Sequence, residues 1–185
     1  MRYWFLTNTT YATWLPGDPR GSITSVRDHR EDDAPSLSRI EHKMPGEEWE
    51  DSIPSLYRSA RQSMKGPAIY LDENKAERLL VQFQETASYR GWKLHAVAIM
   101  ANHIHIVVEV DVDPEPGKVL ADFKAYGSRI LNCEYGKPES ETWWTENGSK
   151  RKLKDDEAVV AAIYYVLYKQ PNPLVVWSPE HGRII

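Results

Sequence analysis

Short segments of apolar residues predict the strands of this protein. Residues 2–9 are rich in aromatic and β-branched side chains and lead into the turn-forming segment 14–21, so we expect a strand followed by a structured loop. Two more apolar segments, 92–100 and 104–110, are separated only by a few turn-like residues. Their close spacing predicts a β-hairpin.

Apolar residues at helical spacing predict three long helices, and a short basic helix is expected over 55–65. The first long helix should begin after Asp72, the expected N-cap residue, and end near Gly91. The second should cover about 118–134. The last should cover about 155–169, where the acidic start favours the helix dipole and a proline ends the helix.

The order of the predicted elements indicates the fold class. It reads strand, helix, strand, strand, helix, strand, with a short segment at 143–145 before the added C-terminal helix. This order resembles the split βαβ arrangement, an α+β fold in which helices cover one face of an antiparallel sheet. A length of 185 residues fits a single domain covering 1–185. Within it, the polar stretch at about 22–66 predicts a long excursion.

Composition excludes several classes of protein. With 41% hydrophobic and 27% charged residues, the chain is typical of a globular protein with a buried core. No apolar run approaches the roughly 20 residues that span a bilayer, and the first residues turn polar too soon for a signal peptide. We therefore expect a cytoplasmic protein that does not bind a membrane. The single cysteine, Cys133, excludes an internal disulfide.

The charge pattern limits how the chain can contact nucleic acid. A net charge of −4 argues against a surface coated with positive charge, so such contacts should be local. Two short segments are basic, and the second lies near a tryptophan on which a base could stack. A solvated surface turn is the alternative interpretation of that second segment. The candidate nucleic-acid-binding residues are Arg58, Arg61, Trp144, Lys150, Arg151 and Lys152.

The pair His103 and His105 is the first candidate for chemistry. Residues two apart in a strand project from the same face, with Cα atoms about 6–7 Å apart, so two imidazoles can converge on one ion. The intervening Ile104 should face the core. Histidine pairs bind transition metals and, together with oxygen donors, Mg²⁺ or Mn²⁺. The pattern alone is weakly specific.

The predicted last helix carries the second candidate group, the tyrosines. Tyr165 and Tyr168 share a helical face with small alanines one turn earlier, which leave space in front of the Tyr165 hydroxyl. Tyr164 lies about 100° away from Tyr165 around the helix and is expected to pack. Core and interface packing is the alternative interpretation of all three tyrosines.

Together, these features resemble the HUH single-tyrosine transposases, most closely the branch of REP-associated tyrosine transposase-like proteins. The most specific match is Met100-Ala101-Asn102-His103-Ile104-His105 in the predicted hairpin. The resemblance covers most of the chain and is weakest over residues 22–70. The other matching segments are 7–21, Trp143-Trp144 with Gly148-Ser149, and Tyr165-Val166.

The resemblance implies a ferredoxin-like sheet and an enzyme that cuts and rejoins DNA. In this family a tyrosine attacks a phosphodiester of single-stranded hairpin or repeat DNA, which gives a 5′-phosphotyrosine link and a free 3′-hydroxyl. For this chain it implies Tyr165 as the nucleophile, and Mg²⁺ or Mn²⁺ held by His103 and His105. It also implies a homodimer.

One position departs from the family pattern. The family usually places Gln or Asn four residues after the nucleophile as a third metal ligand, whereas this chain has Lys169 there. Gln170 follows one residue later, about 140° from Tyr165 around an unbroken helix. Pro171 disfavours the helical conformation of Gln170 and could let it turn toward the ion. We therefore expect Gln170 to be the third ligand.

Three alternatives stay open. Tyr168, followed by Asn172 and Pro173, is a second candidate nucleophile in a competing register. A catalytically inactive or domesticated module would bind single-stranded DNA without forming a covalent adduct. A metal-dependent hydrolase of small phosphoesters would turn over substrate without modifying any tyrosine.

Overall fold

The computed structural model describes residues 2–20, 27–28, 38–39, 53–111 and 116–184. Contacts divide the chain into two compact units, one formed by Met1–Thr13 with Lys65–Ile185 and the other by Trp14–Met64. The single domain predicted for residues 1–185 stays a prediction. Most of the predicted excursion at about 22–66 lies outside the described residues.

The order of the elements agrees with the sequence over most of the first unit. In the second unit, the short basic helix expected over 55–65 is present. Within the described ranges, no helix is both long enough and apolar enough to cross a membrane. In chain order the elements are β1 (Arg2–Thr9), β2 (Arg27–Asp28), β3 (Ser38–Arg39), α1 (Pro54–Gln62), α2 (Glu73–Arg90), β4 (Lys93–Ile99), β5 (His103–Val110), α3 (Pro116–Tyr135), β6 (Ser149–Leu153), α4 (Asp156–Tyr168), β7 (Val175–Ser178) and β8 (Gly182–Arg183).

Helix ends follow the capping residues in the sequence. The Asp72 side chain accepts a hydrogen bond from the Lys75 backbone N–H at 2.9 Å, which satisfies a free donor at the start of α2. Gly91 ends α2 with a φ of 69°, a left-handed conformation that glycine adopts without strain. Asp155 caps α4 in the same way, accepting from the Ala158 N–H at 2.8 Å. The predicted limits of both helices are confirmed.

The main sheet has six strands in the order β6-β1-β5-β4-β7-β8, and each neighbouring pair is antiparallel. The path β1-α2-β4-β5-α3-β6 places β1 and β5 in the centre, flanked by β6 and β4. This is the split βαβ order, so the predicted ferredoxin-like fold class is confirmed. The pairs β4–β7 and β7–β8 extend the sheet beyond that order.

Three strands of the main sheet were not predicted from the sequence. Ser149–Leu153 forms the last strand of the split βαβ pattern, although its lysines and arginine were interpreted either as a nucleic-acid contact or as a surface turn. The segment at 143–145 contributes only an isolated bridge between Thr10 and Trp144. The short strands β7 and β8 follow Pro171 in a region for which no element was predicted.

Strand alternation builds a core on each face of the sheet. One face packs Leu6, Ile104 and Ile106 against α2 and α3, where Phe83 and Phe123 meet edge to face at 5.5 Å. Burial of each such side chain contributes roughly 1.5–3 kcal/mol. The other face is smaller and buries strand residues, including Val107 at its centre, against Val159, Ala162 and Val166 of α4. Helices α2 and α3 therefore share one face, as predicted, and α4 occupies the opposite face.

We predict that Gly148→Ala destabilises the protein by about 3 kcal/mol. Gly148 has a φ of 130°, and an added Cβ would lie 2.7 Å from Leu120 Cδ2 and 2.9 Å from the Thr7 carbonyl oxygen. Gly91→Ala is the matched control, since a Cβ there would meet nothing within 4 Å and only the backbone strain of about 1 kcal/mol remains. Urea unfolding measures both values, and equal losses would contradict the packing argument.

Candidate active site

The two histidines lie on the sheet face that α4 covers. His103 and His105 begin β5, and their ring centroids are 4.9 Å apart with planes at 83°. Ile104 between them is fully buried in the core beneath α2 and α3. The face predicted by alternation is therefore confirmed. His105 is buried, whereas His103 is half-buried near the turn between β4 and β5.

Each imidazole has a partner on its Nδ1 atom. Thr7 pairs with His105 across β1 and β5, and its Oγ1 lies 2.7 Å from His105 Nδ1. Asn102 Oδ1 accepts a hydrogen bond from His103 Nδ1 at 2.7 Å. Both Nδ1 atoms are therefore engaged, so the Nε2 atoms are the ones available to an ion or a substrate.

Burial favours the neutral form of both imidazoles. Desolvation lowers the pKa of His103 below its usual 6.5, and the Gln170 amide, which can accept a hydrogen bond from the protonated ring, opposes this shift. Desolvation, together with the charge of His103, lowers the pKa of His105 to about 3. Neutral imidazole is the form that binds metal ions, so the site is in the ligating protonation state at neutral pH.

Tyr165 lies beside the histidine pair. Its ring centroid is 5.6 Å from that of His105 and 5.9 Å from that of Phe5. Phe5 in turn lies 5.2 Å from His105, so the three rings form one cluster. Tyr165 is 43% exposed, and the small Ala162 one turn earlier is buried against the sheet. The tyrosine therefore borders the histidines and stays accessible from solvent.

Gln170 reaches the same place because α4 ends before it. The helix stops at Tyr168, and Lys169 is its C-cap. Gln170 Nε2 donates to the Tyr165 carbonyl oxygen at 3.0 Å. The Gln170 side chain also counteracts the lowering of the pKa of both imidazoles, which is the effect of an amide oxygen near them. Lys169, by contrast, has its Nζ 5.4 Å from the Tyr164 ring centroid.

Tyr168 faces a different neighbour. Its ring lies 5.2 Å from that of Tyr164, and its side chain is 55% exposed. Among the aromatic contacts of the described residues, those to His105 come from Phe5, His103 and Tyr165. The structure thus brings Tyr165, and not Tyr168, next to the histidine pair. Which tyrosine reacts stays a prediction.

The described residues offer the histidine pair no additional ligand of the His, Cys, Asp or Glu type. In the part of the chain that the structure describes, no three His, Cys, Asp or Glu side chains are grouped so that they could hold a metal ion. The buried Glu109 on the same face is bound instead by His95 Nε2 at 2.8 Å. Among the described residues, a third ligand at the histidine pair would be of another residue type, and the Gln170 side chain lies near both imidazoles.

Comparison with known proteins identifies a family for the middle of the chain. Residues 65–150 match the model described as IS200-like transposase. The predicted resemblance to the tyrosine transposases is confirmed. The matched segment is somewhat less than half of the chain and contains His103 and His105, whereas Tyr165 and Gln170 lie beyond it.

A solved structure is similar over a longer range. It is described as a REP-associated tyrosine transposase bound to a REP hairpin, and the match has a TM-score of 0.45 and 8% sequence identity. The match covers 89% of this chain and 64% of the other, so this chain spans less than two thirds of that relative. A comparison with curated proteins gives no match.

The candidate basic residues of β6 lie on two faces of the main sheet. Strand β6 directs Arg151 to the face of the histidine pair, because Arg151 lies opposite Phe5 in the register with β1. Lys150 and Lys152 lie opposite Leu6 and Trp4, whose side chains belong to the other face. In the second unit, the candidates Arg58 and Arg61 are exposed on α1.

The expected base stacking on Trp144 is wrong. Trp144 is 3% exposed and packs in the core beneath α2 and α3. Its Nε1 donates to the Lys124 carbonyl oxygen and to Ser128 Oγ, both at 3.0 Å. A ring fixed in this way offers no free face to a base, so Trp144 is a structural residue of the core.

Three neighbours of the site were not predicted from the sequence to be site residues. Phe5 contacts His105 and Tyr165, while Thr7 and Asn102 hold the imidazoles. The alternation of β1 places Phe5 and Thr7 on one face, but only the register with β5 shows that this face carries the histidines. Asn102 was part of the matched motif, and its adjacency to His103 was the one available signal.

We predict that acidification destabilises the metal-free protein through His105. Its pKa is about 3 in the folded state and 6.5 ordinarily, so between these values the unfolded chain takes up a proton that the folded chain excludes. The free energy of unfolding should therefore fall as the pH decreases from about 7 to about 5. His105→Asn should weaken this dependence. Urea unfolding across that range is the measurement, and parallel curves for the two proteins would contradict the prediction.

Proposed function

We propose that this protein is an HUH-type enzyme that nicks and rejoins single-stranded hairpin or repeat DNA, with Tyr165 as the nucleophile. The observation that carries the proposal is the cluster of Tyr165, His105 and Gln170, in which an accessible phenol borders two neutral imidazoles and an amide. The match of residues 65–150 to the IS200-like transposases supports DNA as the substrate.

The donor set fits a divalent ion. His103 and His105 can bind an ion through Nε2, since both Nδ1 atoms are engaged, and burial favours their neutral form. The Gln170 amide oxygen adds a hard donor, and this mixture of nitrogen and oxygen suits Mg²⁺ or Mn²⁺. Such an ion would supply positive charge to the scissile phosphate. His103, His105 and Gln170 are the residues that would hold it.

The proposed reaction exchanges one phosphoester for another. The Tyr165 hydroxyl oxygen bonds to phosphorus as the bond from phosphorus to the 3′-oxygen breaks. The phenol proton passes to solvent, and the leaving 3′-oxygen takes up a proton to become a hydroxyl. Attack by a 3′-hydroxyl on the 5′-phosphotyrosine reverses these changes and rejoins the strand. The covalent link conserves the bond energy, so no nucleotide cofactor is consumed.

The chain's own residues position this step. Phe5 packs against the Tyr165 ring and limits its orientation, while the hydrogen bond from Gln170 to the Tyr165 carbonyl links the nucleophile to the third ligand. Thr7 and Asn102 fix the imidazole rings. Positioning is the main contribution that a protein makes to phosphoryl transfer. We further propose that the enzyme works as a homodimer, as the family resemblance implies.

We predict a covalent DNA adduct on Tyr165. Hairpin oligonucleotides labelled in turn at each end would be incubated with the protein and Mn²⁺ or Mg²⁺, resolved on a denaturing gel and examined by peptide mass spectrometry. Tyr165→Phe should abolish the adduct because it removes the attacking oxygen, whereas Tyr168→Phe should retain it.

The two substitutions remove the same atom three residues apart on α4, so each controls for the other. An adduct that survives in Tyr165→Phe and disappears in Tyr168→Phe would move the nucleophile to Tyr168. Retarded mobility on a native gel without any adduct would instead favour a non-catalytic single-stranded DNA-binding module. The observation that favours this second function is Lys169, which occupies the position where the family usually has a metal ligand.

We predict that Gln170→Ala weakens Mn²⁺ binding by about 10-fold or more, since it removes one of three donors. Lys169→Ala is the matched control, because the Lys169 amine lies over the Tyr164 ring. Isothermal titration calorimetry with the full chain measures both affinities. Unchanged affinity in Gln170→Ala, or an equal loss in Lys169→Ala, would exclude Gln170 as the third ligand.

A further inference from the structure

Strand β6 separates three consecutive cations onto two faces. Arg151 pairs with Phe5 in the register between β6 and β1, so its side chain shares the face of the histidines and Tyr165. Lys150 pairs with the fully buried Leu6 and points to the face covered by α2 and α3. There it lines a groove with Lys124 of α3. Position alone therefore distinguishes the arginine from its neighbours.

Arg151 is held against the ring cluster of the site. Its Cζ lies 5.4 Å from the Phe5 ring centroid, a distance typical of a guanidinium stacked over an aromatic ring. The same Phe5 ring is 5.2 Å from His105 and 5.9 Å from Tyr165. One aromatic side chain thus joins the cation to both the histidine pair and the tyrosine.

Charge pairing also distinguishes Arg151 from other arginines of the first unit. Arg78 is paired with Glu134, Arg90 with Asp122 at 2.9 Å, and Arg183 with Glu77. Among the residues that the structure describes, Arg151 has no carboxylate within ion-pair distance, and its side chain is exposed. An exposed and unneutralised guanidinium on the same sheet face as the candidate nucleophile is available to an anionic group of the substrate.

We propose that Arg151 binds the scissile phosphate and neutralises the charge that builds up when Tyr165 attacks it. This proposal rests on the proposed function and adds a residue to it. A phosphodiester has one negative charge, and the five-coordinate transition state gains a second on its non-bridging oxygens. The planar guanidinium can donate two hydrogen bonds to those oxygens, and stacking on Phe5 fixes its plane in advance. Arg151 keeps its proton throughout, so it changes no bond.

The first test compares two substrates that differ in one charge. Hairpin oligonucleotides would carry either a phosphodiester or a neutral methylphosphonate at the scissile position. With the phosphodiester, Arg151→Gln should reduce the single-turnover rate of adduct formation by about 10²–10³-fold. With the methylphosphonate the loss should shrink to a few-fold, because there is little charge left to neutralise. A loss of the same size on both substrates would overturn the proposal.

Lys154→Gln is the matched control, since it removes one exposed charge directly after the same strand. It should leave the rate at saturating DNA within about 3-fold of the unsubstituted chain, because this side chain is not part of the ring cluster of Phe5, His105 and Tyr165. Arg151→Lys should be intermediate, as it keeps the charge and loses the fork. Rates that fall equally in Arg151→Gln and Lys154→Gln would show a general effect of charge and overturn the proposal.

A binding experiment separates failure of this proposal from failure of the proposed function. In the non-reactive Tyr165→Phe chain, single methylphosphonates would be scanned along the oligonucleotide and affinity measured by fluorescence anisotropy. We expect one position where loss of charge weakens binding about 10-fold with Arg151 present and has no effect in Arg151→Gln. If the unsubstituted chain forms no adduct, the proposed function fails, but such a position would still support a phosphate contact by Arg151. If the scan finds no such position, the proposal for Arg151 is overturned.

Discussion

The antiparallel register between β1 and β5 is the constraint on which the site depends. It places Thr7 opposite His105 and Leu6 opposite Ile106. A slip of one residue would turn every side chain of β1 to the other face, which would replace Phe5 and Thr7 with their core-facing neighbours. Because Leu6 and Ile106 are fully buried together, hydrophobic burial selects the register. The core thereby also specifies the polar partner of His105.

The end of α4 is the second determinant of the site. Val159, Ala162 and Val166 hold the helix on the sheet face opposite α2 and α3, which brings Tyr165 beside His105. The helix ends just beyond this buried stripe, so Gln170 leaves the helical path and its amide returns to the Tyr165 carbonyl. A single hydrogen bond therefore couples the position of the candidate nucleophile to that of the candidate third ligand.

Local chemistry made part of this structure predictable. Asp72 and Gly91 mark the ends of α2 because capping and left-handed backbone depend on residues a few positions apart. The face of the histidine pair was predicted from alternation with Ile104, which is also a pattern of residues close together in the sequence. The ferredoxin-like order followed from the sequence of elements and from the family resemblance.

Features that depend on distant contacts were not predictable. Strand β6 has no alternating apolar residues and exists because it pairs with β1, so its residues resembled a surface turn. The burial of Trp144 was not predicted, because its hydrogen-bond partners on α3 lie far along the chain. For Gln170, Pro171 indicated that the chain changes direction after the helix, but it did not indicate where the amide would turn. These errors share one cause, the absence of tertiary information in a local pattern.

Strand β6 has a further property that comes from its place in the sheet. Among the strands that the structure describes it pairs with β1 alone, so its outer side has main-chain N–H and C=O groups without a partner in those strands. Such edges tend to join the edges of other molecules into aggregates, and a row of long basic side chains opposes this because like charges would meet. Lys150, Arg151 and Lys152 therefore favour solubility as well as contact with an anionic partner, and removal of their charge weakens both.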